Sequence, residues 1–124
     1  MVDCRFVVAE GSQSGPTQRV CVVDSDGHLL SCHGGLRGGG PAQLDFPRHL
    51  AVDDDGELLV ADFNNRRVVR LTWTLELLGE INLPVGPRQN FCPYRLCVDQ
   101  RQRRLYVGGL GPGSDCGRLA AFRI

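Results

Sequence analysis

The chain contains no lysine; its 14 basic residues are all arginine, and 14 acidic residues balance them to a formal net charge of zero. Bulk charge therefore supplies no drive toward nucleic acid or an anionic membrane surface. The all-arginine usage reads as GC-rich coding rather than as guanidinium recognition. No apolar run approaches the roughly 20 residues of a membrane span. The N-terminus lacks the charged-then-apolar pattern of a signal peptide, so the expected location is cytoplasmic, without membrane contact. No stretch shows the 3.6-residue periodicity of an amphipathic helix. His28, His33 and His49 are the only histidines, and no Gly-x-Ser-x-Gly occurs, so no nucleophile–base constellation is expected and the segment reads as non-enzymatic. Cys92 and Cys97, or Cys32 beside His33, do not provide the two close ligand pairs of a zinc site; no metal or other cofactor is expected. Without a secretory signal the 6 cysteines read as free thiols, with Cys21 and Cys97, inside apolar runs, as small core residues.

What is present is punctuation. The 16 glycines and 7 prolines fall between short apolar runs, the pattern of an all-β chain. Phe46–Leu71 shows it best, with three strand-length runs and an Asp55-Gly56 hairpin signal between two of them. This unit recurs. Pro47–Asp53 matches Pro93–Asp99 at an offset of 46 residues. Leu58–Ala61 is echoed by Leu105–Gly108 and, upstream, by Phe6–Glu10. Arg67–Leu71 is echoed by Arg19–Val23 and Arg118–Phe122. A further strand follows as His28–Cys32 and Leu75–Gly79. With the strands labelled a to d, the chain reads b-c-d, a-b-c-d, a-b-c. A period of this length with four short strands predicts a partial β-propeller of four-stranded antiparallel blades, about two and a half in number. Strand a lies innermost, where Ala51 and Cys97 are suitably small.

Phe46-Pro47-Arg48-His49-Leu50-Ala51-Val52-Asp53-Asp54-Asp55-Gly56-Glu57-Leu58-Leu59-Val60-Ala61-Asp62-Phe63-Asn64-Asn65-Arg66-Arg67-Val68 resembles an NHL repeat. The matching features are the proline before strand a, the Asp-x-Asp-Gly turn, the Val-Ala-Asp strand end and Asn-Asn-Arg-Arg-Val. Gly34–Gly40 resembles the glycine-rich link between NHL blades. In the third copy the turn has become Asp99–Arg103 and the Asn-Asn pair is missing. The resemblance implies one NHL region over residues 1–124. It divides into a partial blade at 1–33, a link and complete blade at 34–82, and a second partial blade at 83–124. Such rings close with six blades or so, so further blades of a longer chain or a neighbouring subunit are expected to complete it. The isolated piece is expected to be marginal or aggregation-prone. The resemblance is greatest to tripartite-motif proteins, in which the propeller recruits targets for ubiquitination, and some family members bind single-stranded RNA. A protein partner, or alternatively RNA, is therefore implied; a fragment of a propeller lyase or lactonase, enzymes of related sequence, is the third reading.

In an up-and-down blade the d–a and b–c connections share one face. The short b–c loop Phe63–Arg66 lies between two longer ones, Gly11–Gln18 and Leu110–Gly117, and insertions on one face of a repeat array mark a binding face. The candidate face comprises Arg48, His49, Phe63, Asn64, Asn65, Arg66, Tyr94 and Arg95. Its aromatic rings could stack on bases, and its Arg and Asn groups could hydrogen-bond a partner. The competing reading makes Asn64 and Asn65 turn residues with positive φ. Asp24–Gly27 and Asp53–Glu57 begin like calcium loops but lack the distal bidentate Glu, and read as hairpin turns. Arg101, Arg103 and Arg104 form a solvated basic turn on the opposite face.

Overall fold

The computed structural model describes residues 4–83, 91–111 and 118–124. The strands are β1 (Arg5–Glu10), β2 (Thr17–Asp24), β3 (Leu29–Leu36), β4 (Pro47–Val52), β5 (Leu58–Asp62), β6 (Arg67–Leu71), β7 (Leu77–Asn82), β8 (Cys92–Asp99), β9 (Arg104–Leu110) and β10 (Arg118–Arg123), with one 3-10 turn at Phe63–Asn65. They form three meanders, β1-β2-β3, β4-β5-β6-β7 and β8-β9-β10, each strand pairing antiparallel with its sequence neighbour. The fold is all-β, with blade-like sheets as the repeats predict. Among the described residues no helix is long and apolar enough to cross a membrane.

The central sheet is buried on both faces, and β5 shows why its sequence does not alternate. Leu58 and Val60 pack with Val20, Val22, Leu44, Val69, Leu71 and Leu75 toward the first sheet. Leu59 and Ala61 pack with Val68, Leu83, Leu96, Leu105 and Val107 toward the third. A strand covered on both sides needs apolar residues at consecutive positions. Among the described residues the outer sheets are covered on one side only. Phe6 (54 %), Leu36 (75 %) and Leu119 (73 %) are among the apolar side chains this leaves in solvent.

Three hairpins share one turn. In each, the first residue donates its N–H to the fifth residue's carbonyl and accepts from the N–H of the fourth: Asp24–His28, Asp53–Glu57 and Thr72–Glu76. The fourth position is left-handed, held by Gly27 (φ 84), Gly56 (φ 81) and Leu75 (φ 64). Glycine takes it without the steric cost a Cβ incurs, and at Gly56 an added Cβ would also collide with the Trp73 indole. The aspartates complete the turn. Asp53 Oδ1 accepts the Glu57 N–H at 2.8 Å, and Asp24 Oδ1 accepts those of Asp26 and His28 at 2.9 and 2.8 Å. In the divergent third copy Arg103 takes the left-handed role (φ 51), and Asp99 Oδ1 accepts the Gln102 N–H at 3.1 Å.

Several expectations need correction. The strand expected at Leu75–Gly79 begins at Leu77, because the Thr72 turn consumes Leu75 and Glu76. Gly34–Leu36 belongs to β3 rather than to the link. Gly34 (φ 95) is required there because a Cβ would run into the backbone of Gln18 and Arg19 on β2. Cys21 is buried, but Cys97 is exposed. Its register partner is Tyr106, on the outward face of the third sheet, whereas Leu96 and Leu105 turn inward.

Candidate recognition face

The face is built where β4 and β8 start. Both strands carry an irregularity at the same point of the repeat. Pro47 pairs with Asp62 and His49 with Ala61, leaving Arg48 as the extra residue; Pro93 pairs with Gly109 and Arg95 with Gly108, leaving Tyr94 as the extra residue. A bulge turns its residue out of the ladder's alternation. The two bulged residues meet: the Arg48 guanidinium lies 5.9 Å from the Tyr94 ring centroid. It also lies 5.1 Å from the Phe46 ring and 5.0 Å from the Phe63 ring. Phe46 and Phe63 are themselves packed edge to face, with centroids 5.6 Å apart and planes at 71°. Arg48 is exposed, and among the described residues it makes no ion pair.

Phe46 is the strained member. Its φ is 63°, a left-handed conformation unusual for an aromatic residue and doubly so before proline. Backbone hydrogen bonds hold it: its N–H donates to Gln18 Oε1 at 2.8 Å, and its carbonyl accepts the Phe63 N–H at 3.2 Å. Gln18 is fully buried and donates through Nε2 to the carbonyls of Ser12 and Gly15, both at 2.7 Å. Thus the Gly11–Gln18 segment braces the Phe46 turn. The Leu110–Gly117 loop lies mostly outside the described residues.

Beside this cluster lies a polar anchor centred on Asp62, which is fully buried. Its Oδ1 accepts the Asp45 N–H at 2.7 Å; its Oδ2 accepts from Asn65 Nδ2 at 2.8 Å and Arg67 Nε at 2.9 Å. Burial pushes the Asp62 carboxyl above the ordinary carboxylate range, and these three donors pull it back. Arg67 spends its remaining N–H groups on Glu80 at 3.1 Å and on the carbonyls of Gly40 and Gln43 at 3.0 and 2.7 Å. The anchor therefore ties the β5–β6 connection to the link running from β3 to β4.

The predicted residues divide accordingly. Arg48, Phe63 and Tyr94 come together as one aromatic–guanidinium platform. Asn64 and Asn65 face the anchor: Asn64 Nδ2 donates to Asp45 Oδ1 at 2.9 Å and Gln13 Oε1 at 3.0 Å, and Asn65 Nδ2 also reaches the Gly38 carbonyl at 2.8 Å. The left-handed turn residue is Arg66 (φ 54), which is exposed. His49 is turned inward, and its Nδ1 accepts the Leu96 N–H at 2.9 Å, joining β4 to β8. Burial, helped by the Arg95 charge, lowers its pKa and keeps the ring a neutral acceptor. Arg95 is exposed. Phe46, Gln18, Asp45, Asp62 and Arg67 were not among the predicted residues. Asp62 and Arg67 had a signal in the repeat motif, whereas the Phe46 strain had none. On the opposite face the basic turn spans two blades, with Arg103 against Asp55 at 3.4 Å and Gln100 Oε1 accepting the Asp54 N–H at 3.1 Å.

Residues 44–71 match the NHL repeat. They run from Leu44, just ahead of the Phe46 turn, through β6, and so include the anchor aspartate and most of the platform. No curated protein matches the chain. The repeat match over residues 44–71 and the blade-like antiparallel sheets are together consistent with partial blades of an NHL-type β-propeller.

Proposed function

We propose that this segment is a recognition module of the cytoplasm, not a catalyst, and that it binds a protein partner through the Arg48 platform. One observation carries the reading: an exposed guanidinium 5.0–5.9 Å from three ring centroids, with no carboxylate partner among the described residues. Arg and Tyr on a rigid apolar base are the residue types that dominate binding energy at protein interfaces. A guanidinium held among rings in this way can present its N–H fork to an acidic side chain or a carbonyl of the partner. The Phe46 strain supports the same reading, since strained backbone clusters at binding sites. The finer assignment, the target-recruiting part of a tripartite-motif ubiquitin ligase, rests on the resemblance alone. Single-stranded RNA is the alternative, with a base stacking on Tyr94. The protein reading is preferred because the Asn64 and Asn65 amides, the best base-reading groups nearby, are already engaged within the chain.

The test places a benzophenone amino acid at Tyr94 or, on the opposite face, at Trp73, followed by irradiation in cells. Protein adducts from position 94 in excess over position 73 are expected. Nuclease-sensitive adducts at 94 would replace the protein reading with the RNA one, and equal yields at both positions would remove the face altogether.

A further inference from the structure

The outward face of the first sheet carries a feature unconnected with the platform. Cys21 on β2 and Cys32 on β3 are register partners, and their Sγ atoms lie 3.0 Å apart. Directly opposed residues on antiparallel strands have Cα atoms about 4.5–5.5 Å apart, inside the roughly 4.4–6.8 Å range a disulfide spans. The register therefore places the two residues within disulfide reach. The other described cysteines in strands have no such neighbour: Cys92 is opposite Leu110 and Cys97 opposite Tyr106.

The two sulfurs are unequal. Cys32 is exposed, and Cys21 is 4 % exposed. Arg19 Nη1 lies 3.8 Å from Cys32 Sγ, and its Nε is held by Glu10 at 2.7 Å. Burial, with the neighbouring Cys32, pushes the Cys21 thiol up to about 12. Cys21 therefore keeps its proton, and Cys32 is the sulfur that meets solvent with a cation beside it.

We propose that Cys21 and Cys32 form a reversible dithiol–disulfide couple, oxidised by a small-molecule disulfide such as glutathione disulfide. Cys32, having given its proton to solvent, attacks one sulfur of the oxidant. The oxidant's S–S bond breaks, a mixed disulfide forms on Cys32, and one glutathione leaves as thiolate. Cys21 then releases its proton and attacks the Cys32 sulfur, expelling the second glutathione. Two protein thiols lose two electrons and two protons, and the oxidant becomes two glutathione thiols. The product staples β3, the edge strand, to β2 just before the link that leads to the platform.

The full chain is equilibrated with mixtures of glutathione and its disulfide, acid-quenched, alkylated and cut with trypsin. Cleavage after Arg19 and Arg37 leaves both cysteines in one peptide, 20–37. That peptide is expected unalkylated and two hydrogens lighter, at an oxidant fraction about tenfold lower than in urea, because the fold raises the effective concentration of one sulfur at the other. Cys21→Ser is expected to stop at a glutathione adduct on Cys32. A peptide that stays doubly alkylated overturns the proposal. So does one that ends as the adduct in the parent chain, or one that converts equally in urea. A Cys21→Ser chain without the adduct overturns the assignment of Cys32 as the attacking sulfur.

Discussion

Replacing Asp62 with Asn tests the anchor that shapes the candidate face. The carboxylate is fully buried and accepts three hydrogen bonds, one from Arg67, whose side chain is 11 % exposed. Removing one partner of a buried ion pair costs about 3–5 kcal/mol, because the other charge stays desolvated. Two features reduce the cost here. Asn keeps an acceptor for the Asp45 N–H, and Arg67 retains Glu80 and the Gly40 and Gln43 carbonyls. The amide N–H₂, however, would then face two donors, Asn65 and Arg67. The expected loss is about 2–3 kcal/mol, a large share of the roughly 5–15 kcal/mol that holds a domain folded. Urea unfolding followed by circular dichroism reads it. With a slope of about 1–3 kcal/mol per molar, the midpoint should fall by about 1 M or more. Glu80→Gln removes the same guanidinium's 44 % exposed partner and should cost less than about 1 kcal/mol. Equal effects from the two substitutions, or a loss below about 0.5 kcal/mol for Asp62→Asn, would refute the reasoning.

Two further perturbations are informative. Burial lowers the pKa of both His33 and His49 from the ordinary value of 6.5; the folded state then binds fewer protons than the unfolded chain just below that value. Their contribution is complete above about pH 6.5 and is lost as pH falls toward the lowered values, so melting temperature should drop between pH 7.5 and 5.5, and less so in His33→Phe. Gly56→Ala places a Cβ at φ 81 against the Trp73 indole and should cost about 1–2 kcal/mol, with a shift in the emission of the single tryptophan. An unchanged urea midpoint and spectrum would contradict the turn assignment.

Most of the architecture was legible because a repeat prints the same local physics more than once. The strands echoed at an offset of 46 residues, and the Asp-Gly turns fixed their ends. Legibility failed where a rule was met by an unexpected residue. Leu75 and Arg103 occupy left-handed positions that elsewhere belong to glycine, so their turns could be read only from their place in the repeat. Cys97 looked like core because it lies in an apolar run, yet the alternation of β8 turns it outward. Of the candidate face, Arg48, Phe63 and Tyr94 converge, but only paired bulges bring Arg48 to Tyr94, and bulge positions follow from ladder register rather than composition. The asparagines carried the strongest motif signal. Their amides hold the blade link, a role visible only once Asp45 and Gly38 are placed beside them.

Arg48→Gln separates recognition from architecture most directly. The substitution keeps the side-chain stem over Phe46, Phe63 and Tyr94 and removes the charge. An exposed cation–π contact is worth about 0.5–1 kcal/mol, so the urea midpoint should move little, while protein adducts captured from a benzophenone at position 94 should fall at least tenfold, the loss about 1.4 kcal/mol of binding free energy produces. A variant as unstable as Asp62→Asn, or one that keeps its adducts, would show that Arg48 belongs to the scaffold and that the partner is bound elsewhere.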